Sequence, residues 1–219
     1  MRLQLFYPIK SYFVNQSWGV YNDIYNQFGF TRHNGIDCKL SEDKLIYSPV
    51  KMKIVQVGYQ SKGAGNFVSA ITLDEFDEWR SPTTTFYKVY LTFMHLKDTS
   101  VKEGEIVNVG DIIGHGDNTG FSTGEHLHLF CGRVKEVNGQ YIFTDEALKD
   151  ANYSFDHSFY WTGEYAIDYK NEQIRLEEER KAEEARKIEN LKYQVENLKE
   201  QVTIYQKVIE LFIRLKNLF

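Results

Sequence analysis

The chain has 219 residues, of which 42% are hydrophobic and 26% charged, with a formal net charge of −5. That is enough for one sizeable core plus an extension, and it excludes collagen-like, disulfide-dense and low-hydrophobicity disordered classes. Acidic and basic residues number 19 and 15 over 1–163 and 12 and 11 over 164–219, so neither part is basic and no nucleic-acid partner is expected.

The opening, MRLQLFYPIKSYFVNQ, lacks an apolar h-region and a small-residue cleavage site, so no signal peptide is expected. No run of 18 apolar residues occurs, and no transmembrane helix is expected. All 15 Gly and all 3 Pro fall within residues 1–163, where short apolar runs recur between Gly, Asn, Asp and Ser. Candidate strands are Leu45–Tyr47, Lys53–Gly58, Phe67–Leu73, Thr85–His95, Ile106–Val109, His126–Arg133 and Gln140–Phe143. They are rich in Val, Ile, Tyr, Phe and Thr, which suit pleated surfaces. Thr85–His95 alternates, which puts Thr85, Tyr87, Val89, Leu91, Phe93 and His95 on one face. The fold class predicted is mainly β, an antiparallel β-sandwich or open barrel over 1–165, followed by a long C-terminal α-helix.

Residues 164–219 hold no Gly or Pro. Glu172–Glu200 is rich in helix formers, and Glu177/Lys181 and Glu183/Lys187 sit at i,i+4 in the favourable order. Ile188, Leu191, Val195, Leu198, Val202, Tyr205, Ile209 and Phe212 alternate by three and four residues, a heptad seam. The reading is a helical coiled-coil stalk over 168–219, roughly 70 Å of helix from about 171 onward at about 1.5 Å per residue. Self-association through this helix is expected. A helix lying on its own β domain is the alternative, and its charged first half is too polar for that. The apolar close from Ile209 to Phe219 broadens the contact or touches a membrane surface.

Of six His, four stand in contexts that carry chemistry. His33 and Asp37 are an even number apart and share a face in an extended segment, a zinc half-site. His126 and His128 share a face in a strand whose Leu127 and Leu129 point to a core. His95 ends a strand. His115 lies in a Gly-rich turn and reads as a rim residue at most. His157, within the aromatic run Phe155–Trp161, reads as a structural His. Cys38 and Cys131 are too few for a disulfide framework, and strand parity points both away from the His face.

These segments, in this order, resemble the lysostaphin-type zinc endopeptidases that cut bacterial peptidoglycan. Arg32-His33-Asn34-Gly35-Ile36-Asp37 is similar to the family's H-x-G-x-D opening. Gly65-Asn66-Phe67-Val68 resembles its G-N-x-V turn, and Tyr90-Leu91-Thr92-Phe93-Met94-His95-Leu96 its Y-x-H-L strand. Asn118-Thr119-Gly120-Phe121-Ser122-Thr123-Gly124-Glu125-His126-Leu127-His128 is very close to N-T-G-x-S-T-G-x-H-L-H. The similarity covers about 32–131, the motif core of the β domain. The resemblance implies Zn²⁺ as cofactor, with His33, Asp37 and His128 as metal ligands. It implies His95 and His126 as catalytic residues. His126, on one face with His128, is the candidate general base and His95 the partner of the water or the developing oxyanion, and the sequence does not assign the two jobs between them. Three protein ligands leave a position for water, as a catalytic zinc requires.

The resemblance also implies peptidoglycan peptides as partner and action at the bacterial cell wall, whether extracellular, periplasmic or phage-delivered. Two other readings are a non-catalytic wall-binding or regulatory relative, and a virion-associated structural protein assembled by its coiled coil. An acidic hairpin tip between Leu73 and Thr85 reads as a solvated loop, or as an attractor of stem-peptide ammonium groups.

Overall fold

The computed structural model describes residues 2–29, 31–77, 86–143 and 154–216. The chain divides into two compact units, Met1–Asn171 and Glu172–Phe219.

The strands of the first unit are β1 (Leu5–Tyr7), β2 (Val14–Gln16), β3 (Gly35–Cys38), β4 (Leu45–Tyr47), β5 (Met52–Gln60), β6 (Gly65–Thr72) and β7 (Phe76–Asp77). They continue with β8 (Phe86–Thr99), β9 (Ile106–Val107), β10 (Ile112–Gly116), β11 (Leu127–Val137), β12 (Gln140–Phe143) and β13 (Trp161–Tyr165). The main sheet runs β2-β3-β11-β8-β6-β5-β9, with β10 joining β4 to β8 and β12 extending β11. Its ladders are antiparallel, as expected. The exception is a separate two-stranded sheet in which β1 pairs with β13 in parallel. Both strands are three to five residues long, too short to stand out by period. The expected acidic loop is described only as far as β7, because residues 78–85 lie outside the described residues.

Period-two alternation builds the core. On β11, Leu127, Leu129 and Cys131 are buried among Ile36, Cys38, Leu91 and Phe93, while His128 and Phe130 face the other side. Each fully buried Leu or Phe contributes about 2 kcal/mol through removal of apolar surface from water.

Alternation fails at one place that matters. Asn66 of β6 stands opposite Leu96 of β8, and Val68 opposite Phe93. β8 therefore carries one residue more than its neighbour across Met94-His95, a β-bulge. His95 takes the left-handed backbone, φ 61°. Strict alternation puts His95 on the core face with Phe93. The bulge turns it to the opposite side, with ring centroids 4.8 Å from His126 and 6.0 Å from His128. Bulges commonly re-aim one side chain in this way.

β13 leads directly into α1 (Ala166–Lys216), which begins earlier than the sequence indicates. Asp168 lies in its first turn, where a carboxylate suits the helix dipole. In the first unit, Lys170 of this turn pairs with Asp111 at 2.8 Å. In the second unit the helix is laced by exposed ion pairs, among them Arg175–Glu172, Arg180–Glu177 and Lys187–Glu183. Its seam residues from Ile188 to Phe212 are exposed.

Candidate metal centre

His33 precedes β3, Asp37 lies within it, and His128 lies on the adjacent β11. Cross-strand register sets Asp37 directly opposite His128, so both side chains leave the sheet on one face. His33 Nε2 is 3.1 Å from Asp37 Oδ1 and 3.0 Å from His128 Nδ1. His128 Nδ1 is 2.9 Å from the same carboxylate oxygen. Gly35 makes this approach possible, because a Cβ there would lie 2.5 Å from His128 Nε2.

Backbone carbonyls fix the tautomers. His33 Nδ1 lies 3.0 Å from the Ser17 carbonyl, which only accepts, so Nδ1 donates and Nε2 carries the lone pair. His95 Nδ1 donates to the Thr119 carbonyl at 2.8 Å and His126 Nδ1 to the Gly124 carbonyl at 2.7 Å. Three rings thus present Nε2 lone pairs, two of them toward Asp37 Oδ1, at 3.1 Å from His33 and 3.4 Å from His126. Lone pairs facing a carboxylate oxygen repel unless a cation lies among them. Tetrahedral zinc with bonds of about 2.0–2.1 Å holds its ligand atoms roughly 3.3 Å apart, close to the spacings here. One carboxylate and two imidazoles, His33 held by the Ser17 carbonyl and His128 packed on Gly35, is a donor set that fits zinc.

Electrostatics follow burial and this carboxylate. Burial alone pushes the Asp37 carboxyl up, but His126, His128 and His33, which can donate to it when a proton takes the place of a metal on the facing nitrogen, outweigh it and hold the group well below the usual range. Burial lowers His128 despite Asp37, and lowers His95 to about 4. His126 is raised, since the hydrogen bond and charge of Asp37 overcome its burial. Left-handed backbone at a non-glycine residue such as His95 costs about 1–3 kcal/mol and tends to gather at functional sites.

A cleft of about 230 Å³ continues from the centre across the same sheet face, lined by Asn34, Ser69, Thr92, Met94 and Phe130 among others. Register explains the continuity, since Met94 stands opposite His128, Thr92 opposite Phe130, and Ser69 opposite Thr92. The Tyr25 ring stacks on His33, with centroids 5.6 Å apart.

All five residues singled out from the sequence meet at this place. His115 is elsewhere, paired with Asp98 at 2.8 Å, and His157 is buried in the aromatic cluster with Trp161. Cys38 and Cys131 are free and buried. Burial, aided by the Asp37 charge, pushes the Cys38 thiol up to about 12, and neither thiol joins the donor set. Sequence reasoning missed Tyr25, the cleft lining, and the carbonyls of Ser17, Thr119 and Gly124. Of these, Thr119, Gly124 and the cleft residues Asn34, Thr92 and Met94 lay in segments whose pattern marked them.

The profile of peptidase family M23 matches residues 31–142, which is 112 of 219 residues. The chain is 29% identical over 147 residues to glycyl-glycine endopeptidase ALE-1 of Staphylococcus capitis, covering 64% of this chain and 37% of that protein. It is 35% identical over 102 residues to lysostaphin of Staphylococcus simulans, covering 44% and 17%. It is 33% identical over 96 residues to an uncharacterized metalloprotease of Haemophilus influenzae, covering 44% and 18%. The chain thus spans well under half the length of these curated relatives. Among solved structures, the catalytic domain of lysostaphin from S. simulans aligns with a TM-score of 0.48 at 23% identity, over 67% of this chain and 89% of that one. With a family match across half of its length and the family's motif residues gathered at one centre, the chain belongs to peptidase family M23.

Proposed function

We propose that the chain is a zinc-dependent endopeptidase that hydrolyses peptide bonds in the stems or cross-bridges of bacterial peptidoglycan. One observation carries this reading. His33 Nε2, Asp37 Oδ1 and His128 Nδ1 converge on one point, with the free Nε2 atoms of His95 and His126 beside it. Zinc held by those three atoms would polarise a scissile carbonyl and acidify a water. His126, raised by Asp37, takes a proton from the attacking water and returns it to the leaving amine. His95, kept neutral by burial, accepts the water's other hydrogen and fixes its orientation. In this neutral tautomer its Nε2 has no hydrogen to donate, so it serves the water rather than an oxyanion. The cleft through Thr92 and Ser69 receives the peptide, and with peptidoglycan as the substrate the proposed place of action is the bacterial cell wall.

The helix supports self-association. In the heptad seam, Ile188, Val195, Val202 and Ile209 occupy one core position, and Leu191, Leu198, Tyr205 and Phe212 the other. Over Ile188–Leu198, β-branched residues at the first and Leu at the second is the two-stranded pattern, from which Tyr205 and Phe212 depart.

The test of the peptidase uses purified peptidoglycan with the wild type, a chelated sample and His128→Ala, the products being read by mass spectrometry. Release by the wild type alone supports the proposal, and equal release by all three overturns it. For the helix, sedimentation velocity compares the wild type with Leu198→Asp. Identical monomeric behaviour overturns self-association.

A further inference from the structure

We infer that Thr119 is a positioning residue for His95, acting through the bulge that aims it. This rests on the peptidase reading above. His95 is left-handed and inserted as an extra residue, so its ring direction depends on what holds the flanking peptides. Thr119 holds both the ring and the backbone. Its carbonyl accepts from His95 Nδ1 at 2.8 Å. Its hydroxyl donates to the Leu96 carbonyl at 2.7 Å, immediately after the bulge, and accepts from the Asn66 amide at 3.0 Å. Asn66 Nδ2 also donates to the Leu96 carbonyl, at 3.0 Å, and to the Lys97 carbonyl at 3.1 Å. The His95 peptide is tied on its other sides, its N–H to the Ala64 carbonyl at 2.8 Å and its own carbonyl to the Asp117 amide at 2.9 Å.

The Thr119 loop reaches these partners because Gly65 and Gly120 meet backbone to backbone. A Cβ on Gly65 would collide with Thr119, and one on Gly120 with Gly65. Residues 63–66 and 117–121 thus form one clamp, with Thr119 at its centre. None of its atoms belongs to the metal donor set, yet it sets which nitrogen of His95 is free and where that nitrogen points. A hydroxyl is required. Valine has the same shape and fills the space, but it leaves the Leu96 carbonyl and the Asn66 amide without this partner.

The experiment uses the full chain and purified peptidoglycan, comparing wild type, Thr119→Val, Thr119→Ser and His95→Ala. Thr119→Val is expected to lower kcat about 10- to 100-fold with KM within about twofold, since orientation rather than binding is lost. Thr119→Ser is expected to recover kcat to within about threefold of the wild type. Nitrogen-15 NMR of the imidazoles is expected to show the single Nδ1–H tautomer of His95 in wild type and Ser variant, and a tautomer mixture in the Val variant. A Thr119→Val enzyme with wild-type kcat overturns the inference. So does a loss that serine does not restore, or one without a change in the His95 tautomer. His95→Ala separates the layers. Full activity there overturns the assignment of His95 itself, whereas a large loss with a fully active Thr119→Val overturns only the clamp.

Discussion

In the β-rich unit Leu91, Phe93, Leu127 and Leu129 are fully buried, whereas in the helical unit Ile188, Leu191, Val195 and Leu198 remain at least half exposed. Both sets follow a regular period, two in the strands and three to four in the helix. The difference lies in what the period meets. Strand alternation meets neighbouring strands of the same chain, so its apolar face is covered on folding and its opposite face is free to carry the candidate metal donors and the cleft. Among the described residues of its own unit, the heptad seam meets nothing. Periodicity therefore reports which face is apolar, and only pairing reports what that face is for.

Substitutions sharpen the contrast. The largest effect is expected from Gly35→Ala, which sets a methyl 2.5 Å from His128 Nε2. Displacing a ligand ring should cost roughly 10³-fold in peptidoglycan hydrolysis, about 4 kcal/mol of barrier, and weaken zinc retention on dialysis. Next, Phe93→Ala should destabilise the β-rich unit by about 3–5 kcal/mol in urea denaturation. Leu198→Ala in dilute solution should leave that transition within about 0.5 kcal/mol of the wild type. An equal cost for both would erase the distinction drawn above.

A third prediction concerns acid. His157 is fully buried, and its pKa is lowered by that burial to about 4, against about 6.5 in the unfolded chain. Between these values the unfolded chain binds the extra proton, so stability is complete above about pH 6.5 and declines as pH falls toward 4. The loss approaches about 3 kcal/mol. In chelated protein, urea midpoints at pH 7 and pH 4.5 should differ less for His157→Phe than for the wild type. An unchanged pH slope would count against a buried neutral imidazole. The smallest effect belongs to the helix surface. Arg180 bridges exposed Glu177 and Glu184, and Arg180→Ala should shift helix melting by no more than about 1 kcal/mol, less still in high salt.

The legible parts of the sequence were those set by local rules. Leu45–Tyr47 and Gln140–Phe143 match β4 and β12 residue for residue, because apolar runs bounded by turn formers leave little choice. The helix was legible from the absence of breakers, although β13 hides its start by running straight into Ala166. His33, Asp37, His95, His126 and His128 were legible because spacing and motif resemblance mark them. Their geometry was not legible. That Asp37 faces His128 is a fact of β3–β11 register, and the inward turn of His95 needs one unmatched residue between β6 and β8. The parallel β1–β13 pair joins segments separated by most of the chain, and no local period encodes that.

The left-handed backbone at His95 has a consequence for how this protein changes under selection. Asn and Gly occupy that conformation more readily than His does. Selection for heat resistance alone should therefore enrich His95→Asn or His95→Gly, a gain of about 1 kcal/mol and a few degrees in Tm. Selection for wall hydrolysis should hold histidine there despite its strain. The most durable version of this chain and its most active version part company at this single residue.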